Sequence, residues 1–223
     1  MFVGEARTLC YSNRSMTLPI TLRQFLTVSA MTLAACLSSC SSVKPASKTN
    51  YSSSFDPPAH RAHNPAAVSV RISTGAQRLY VMEGSRVLLA TPCSVGESNH
   101  PTPAGTHTIT SKEPKRRSHS YGEYPMPYWC EFAPAYGFHW GFVKPHPCTH
   151  GCVRLPKTSA AKVFALVSVG TKVHVAASQP EDATIGRTLP VLDDGPLPNP
   201  PDSYMLTDKV YQDAVYKGNM FVD

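Results

Sequence analysis

The stretch FHWGFVKPHPCTHGCVRL, residues 138–155, packs three histidines, two cysteines and an arginine between two short apolar segments. FHW ends an aromatic run that reads as a strand, and VRL reads as a second extended segment. A Pro-rich spacer separates them. Two neighbouring strands, or a strand and a loop, would bring the His139 imidazole to the Cys152 thiol. Arg154 lies on the same side as Cys152 if the segment is extended. A β fold that places 139 beside 152 is therefore the first expectation.

The flanking sequence supports it. AVSVRI (67–72) alternates apolar and polar residues as a half-buried strand does. QRLYVM (77–82), the turn EGS and RVLLATPCSVG (86–96) read as a hairpin, and PTPAGTHTIT (101–110) as a turn entering a strand. After the central stretch, PKTSAAKVFALVSVG predicts a helix with Ala160, Val163, Phe164 and Val167 on one face. Pro156 stands at its start and Gly170 at its stop. TKVHVA (171–176) closes the domain as a strand. The fold expected is mainly β, with mixed sheets in a sandwich-like arrangement and one packed helix after the cysteine.

The whole chain has 223 residues, a hydrophobic content of 42% and 21 prolines. That length holds one domain with tails. The apolar content supports a core and excludes a disordered chain. The net charge of +6 is scattered, without the dense Lys/Arg block that nucleic-acid binding calls for. From Met16 the sequence follows a secretory pattern: Arg23, a mostly apolar run over 24–37 too short for a membrane span, then small residues before a cysteine. LSSC at 37–40 resembles a bacterial lipobox with Cys40 as the lipidated residue, and LAAC at 33–36 makes Cys36 the second candidate. The expected organisation is an upstream extension and lipoprotein signal (1–40), a flexible tether (41–66), a catalytic domain (67–177), and a Pro-rich linker with a C-terminal tail (178–223).

The central cluster supports three chemistries. A thiolate enzyme would use Cys152 as nucleophile and a histidine as base, with Gly151 permitting a tight turn that aims amide N–H groups at a reacting carbonyl. A zinc site could draw on His139, His146, Cys148, His150 and Cys152, although Cys-x-His-x-Cys is not a paired Cys-x-x-Cys knuckle. A structural reading would join Cys148 and Cys152 in a disulfide. Spacing does not choose among them.

Taken together, THGCVRL and the upstream FHW resemble the signature of the L,D-transpeptidase (YkuD-type) catalytic domain. The TPAG turn, MPYWCEF before GFHWG, and the closing helix with its GT-x-V strand resemble the same family over about residues 67–176. Departures are a spacer of nine residues between His139 and Thr149, Thr149 in place of the commoner serine, and Trp140 after the histidine. The resemblance implies cysteine acyl transfer on peptidoglycan stem peptides without metal or organic cofactor. Cys152 would be the nucleophile and His139 the base, its ring oriented by the Trp140 carbonyl. Amides around His150, Gly151 and Cys152 would hold the oxyanion. Arg154, Thr149, Trp140 and Tyr128 would contact substrate. The acceptor would be a second stem's amine or a wall-attached protein, or water in an L,D-carboxypeptidase. A non-catalytic peptidoglycan-binding lipoprotein is the alternative outside enzymology. Sortase-like and papain-like peptidases fit worse, because they order Cys, His and Arg differently along the chain. The expected location is the cell envelope, exported and lipid-anchored through Cys40. The basic loop KEPKRR (112–117) is expected to be solvated, and His146 and Cys148 to be bystanders of the spacer.

Overall fold

A computed structural model of the chain describes residues 51–195 and 201–223. Cys36, Cys40 and the proposed signal lie outside the described residues. Two mixed sheets carry the architecture. The first has five strands in the order β3-β2-β1-β9-β4: β1 Val68–Ser73, β2 Arg78–Glu83, β3 Arg86–Pro92, β4 Gly105–Thr108 and β9 Lys172–Ala176. The second has four in the order β5-β6-β7-β8: β5 Ser111–Glu113, β6 Trp129–Ala133, β7 Tyr136–Trp140 and β8 Val153–Leu155. Helix α1, Lys157–Leu166, follows β8 directly.

Side-chain alternation builds the core. Val70 and Ile72 of β1, Leu79 and Val81 of β2, and Val173 and Val175 of β9 all turn to one side. They meet Phe132, Phe138, Val153 and Leu155 from the second sheet and Ala160 and Val163 from α1 in one buried cluster. Burying this apolar surface is the dominant favourable term in the fold. Two pairings are parallel: β1 with β9, which are far apart in sequence, and β7 with β8, which are consecutive strands. The second one matters for function. Its register sets Phe138 opposite Val153 and His139 opposite Arg154.

The outer face of the five-stranded sheet is covered by the segment after β9. Gln179 donates its side-chain amide to the carbonyls of Ile72 and His174, and Asp182 accepts from Tyr80 Oη at 2.7 Å and from Ser73 Oγ at 2.7 Å. Residues 178–195, expected as linker, are therefore packed on the domain where described. The tether expectation fails in the same way over 51–66. Ala59 is fully buried, and Lys162 binds Asp56 Oδ1 at 2.6 Å and the Pro57 carbonyl at 2.7 Å. Asp194 accepts from the Ser52 amide and the Val143 amide, each at 2.7 Å. Polar composition suggested solvation there, but these polar groups are satisfied by partners distant in sequence.

The C-terminal tail forms two short helices, α2 Asp202–Met205 and α3 Lys209–Ala214, then a strap to Asp223. Asp223 accepts from the Arg61 amide at 2.9 Å, and the Val222 amide donates to the Ala59 carbonyl at 2.9 Å. No helix among the described residues is long and apolar enough to cross a membrane.

Candidate active site

Strand β7 delivers His139, and the turn before β8 delivers Cys152. The parallel register puts 137, 139, 152 and 154 on one side of the strand pair, while Phe138, Val153 and Leu155 fill the core on the other. Alternation thus brings His139, Cys152 and Arg154 to one face, and all three line a single cleft of about 430 Å³.

The turn carrying Cys152 is tied by Thr149. Its Oγ1 donates to the Cys152 carbonyl at 2.6 Å and accepts the Gly151 amide at 3.1 Å. Residues 94–97 grip the turn from outside: the amides of Cys148 and Thr149 both reach the Val95 carbonyl, and Glu97 N donates to the Thr149 carbonyl at 2.9 Å. Ser94 and Arg154 exchange both backbone hydrogen bonds. Gly151 sits at φ +103°, and a Cβ there would lie 2.4 Å from Tyr136 Cε1. Both the backbone conformation and the contact with the Tyr136 ring require glycine.

His139 is 3% exposed and donates through Nδ1 to the Trp140 carbonyl at 2.6 Å. A carbonyl can only accept, so the neutral ring carries its proton on Nδ1 and leaves Nε2 as a free base. Burial brings its pKa down to about 4, against the Trp140 hydrogen bond, with Arg154 adding to the fall. Burial also pushes the Cys152 thiol up, partly offset by the Gly137 amide and then by the guanidiniums of Arg154 and Arg116. The resting pair is therefore thiol and neutral imidazole, which fits the expected role of His139 as base. The Sγ donates to the Ala135 carbonyl at 3.9 Å. No hydrogen bond joins Sγ to His139 among the described residues.

Other expected site residues are placed differently. The His150 ring is exposed, stacked on Tyr121 with centroids 4.8 Å apart and edge-on to His100 at 4.7 Å. It walls the cleft mouth instead of facing the sulfur. Gly151 spends its amide on Thr149, so it does not supply an oxyanion donor; the Cys152 and His150 amides have no partner among the described residues. Trp140 serves through its carbonyl, while its indole lines a separate apolar pocket with Phe142, Tyr204 and Met205. Tyr128 turns away from the cleft: its hydroxyl donates to the Ala214 carbonyl at 3.0 Å and accepts the Tyr216 amide at 3.2 Å. Tyr128 and Trp140 are thus corrected from substrate contacts to structural positions, because the C-terminal tail occupies their outer side. Cys148 and Cys152 are both free thiols. His146 Nδ1 donates to the Pro147 carbonyl at 3.0 Å in the spacer. Among the described residues no group of three or more His, Cys, Asp or Glu is placed to hold a metal ion.

The loop between β5 and β6 forms the facing wall, with Arg116, Tyr121, Tyr124 and Met126 lining the cleft. The expected solvated loop is instead held down. Arg117 donates to the carbonyls of Glu123, Met205 and Thr207, and Tyr211 Oη donates to the Arg116 carbonyl at 2.5 Å. The loop's lack of apolar periodicity hid this role; its legible signal was a basic run, Lys115 to Arg117, followed by Tyr121 and Tyr124.

With this geometry in hand, comparison with known proteins is informative. Residues 67–175 match the L,D-transpeptidase catalytic domain (YkuD). No curated protein sequence matches the chain. Among solved structures, an L,D-transpeptidase (Yku) from Stackebrandtia nassauensis is 25% identical, with a TM-score of 0.47 over 55% of this chain and 60% of that one. An L,D-transpeptidase from Mycobacterium smegmatis is 24% identical, with a TM-score of 0.47 over 50% and 59%. L,D-transpeptidase 1 of Mycobacterium tuberculosis is 25% identical, with a TM-score of 0.42 over 49% and 61%. The matched region spans less than two thirds of each of these chains.

Proposed function

Given a YkuD L,D-transpeptidase catalytic domain at residues 67–175, we propose that the protein is a peptidoglycan L,D-transpeptidase with Cys152 as nucleophile. The observation that carries this reading is the shared cleft of Cys152, His139 and Arg154, with the His139 ring fixed by the Trp140 carbonyl so that Nε2 is free to accept a proton. Acyl transfer by a cysteine needs a nucleophile, an oriented base and donors for the oxyanion, and each has a candidate here.

In the proposed reaction the Cys152 sulfur attacks the carbonyl between the third stem residue and D-Ala as His139 Nε2 takes the thiol proton. The Cys152 and His150 amides donate to the developing oxyanion. Collapse breaks the C–N bond, His139 returns the proton to the departing D-Ala amine, and a thioester remains on Cys152. An acceptor amine then attacks the thioester, giving its proton to His139, and restores the thiol. Because the thiol is raised and the imidazole lowered, proton transfer accompanies attack instead of preceding it. The Arg154 guanidinium has no ion pair or hydrogen bond of its side chain among the described residues, which supports a role on a substrate carboxylate. Water in place of the amine gives the L,D-carboxypeptidase reaction.

The signal-like N-terminus supports export, with lipidation at Cys40 holding the domain in the envelope close to its polymer. Membrane fractionation that is lost in Cys40→Ala tests the anchor. The enzyme reading is tested by incubating the protein with disaccharide-tetrapeptides and weighing the products. Cross-linked dimers with loss of one D-Ala are expected; unchanged substrate would overturn it.

A further inference from the structure

Three arginines line the cleft, Arg116, Arg117 and Arg154, and the reaction above uses only Arg154. Arg154 comes from β8 beside the nucleophile. Arg116 comes from the β5–β6 loop, outside the Thr-His-Gly-Cys motif, and lines the same cleft. No aspartate or glutamate is among the residues lining that cavity. A cavity lined by arginines and by no carboxylate is suited to a ligand carrying more than one negative charge.

Arg116 is presented to the cleft by design of its surroundings. Its carbonyl accepts from Tyr211 Oη at 2.5 Å and from the Met126 amide at 2.8 Å, which pins the backbone. Its guanidinium carbon lies 5.1 Å from the Trp129 ring centre. The neighbouring Arg117 also lines the cavity, but its guanidinium is spent on three carbonyls. Two donors at this spot lack acceptors: Arg116 Nε and the Nε1 of Trp129, a residue only 1% exposed that also lines the cleft. Buried donors without acceptors are rare in a finished site and call for an incoming oxygen. Arg116 Nη1 binds Glu113 Oε1 at 2.5 Å, but the Glu113 side chain is 41% exposed. Such half-exposed pairs hold weakly, so a substrate carboxylate can compete for the guanidinium.

We propose that Arg116 is a specificity-determining residue that binds a second carboxylate of the acyl donor. The donor class is then a stem peptide whose third residue carries a free side-chain carboxylate, in addition to the C-terminal carboxylate held by Arg154. This rests on the transpeptidase reading and narrows its substrate. A charge-assisted contact of this kind corresponds to about a tenfold or greater preference in kcat/KM.

The test compares two synthetic tetrapeptide donors that differ only by carboxylate or carboxamide on the third side chain, using the purified full chain. The wild-type protein is expected to favour the carboxylate donor by about tenfold or more, a result that needs no variant. Arg116→Gln is expected to erase the preference by slowing the carboxylate donor alone, and Arg116→Lys to retain part of it. Equal use of both donors by the wild type, or equal slowing of both by Arg116→Gln, overturns the proposal while leaving the transpeptidase reading intact. Failure of the wild type on both donors overturns the two together.

Discussion

The buried base makes stability depend on pH in a way that can be worked out. His139 is brought down to about 4 from an ordinary value of 6.5, chiefly by burial. In the window between these values the unfolded chain binds a proton at this position and the folded chain does not. Stability therefore rises with pH across that window: the contribution is full above about 6.5 and lost as pH falls toward 4. A separation of 2.5 units corresponds to about 3 kcal/mol between pH 7 and pH 4 at 1.36 kcal/mol per unit. The assay is urea unfolding at both pH values for the wild type and His139→Gln. Carboxylates and other histidines titrate in both proteins and cancel in the difference. The wild type is expected to lose about 3 kcal/mol more than the variant on acidification. Because only the pH slope is compared, a variant that is weaker at pH 7 still gives a clean reading. Equal losses would refute the claim that the folded state keeps this imidazole neutral, and with it the concerted proton transfer.

Three further expectations concern the turn and its surroundings. Gly151→Ala would place a Cβ against the Tyr136 ring at an unfavourable backbone angle, costing about 1–2 kcal/mol for the angle alone; thermal unfolding and Cys152 acylation rates should both fall. Thr149→Val would strand the Gly151 amide and the Cys152 carbonyl, at a cost of about 1–3 kcal/mol, whereas Thr149→Ser should keep both hydrogen bonds and most of the activity. Tyr128→Phe should lower the unfolding free energy measured in urea by about 1 kcal/mol through its lost contacts to Ala214 and Tyr216, without changing KM for the donor.

The core of this fold was legible because its strands alternate. AVSVRI and KVHVA carry the period of two that a half-buried strand needs, and they became β1 and β9 with their apolar residues inward, while QRLYVM became β2, buried on both faces. The helix after Pro156 was legible from its small and apolar face and its proline start. The nearness of β7 and β8 was foreseen from the FHW and VRL segments, but the parallel contact β1–β9 was not legible, since it joins segments distant in sequence and local pattern does not encode which strand lies beside which. His139 and Cys152 could be named from residue type and spacing. The roles of their neighbours depended on tertiary closure. Tyr128 and Trp140 looked like cleft aromatics until the C-terminal tail covered their outer faces. Arg116 read as one charge in a basic loop, because the tyrosine that fixes it is Tyr211, almost a hundred residues downstream. Polar tails read as tethers for the same reason: Asp56 and Asp194 gain partners only once the sheets have formed.

The central claim, that Cys152 is the acylated nucleophile, is tested most directly by intact-mass measurement of the protein after exposure to a carbapenem, followed by peptide mapping. The account predicts one added carbapenem mass located on Cys152, absent from Cys152→Ala and formed far more slowly by His139→Gln. An adduct that forms equally well on Cys152→Ala would contradict it.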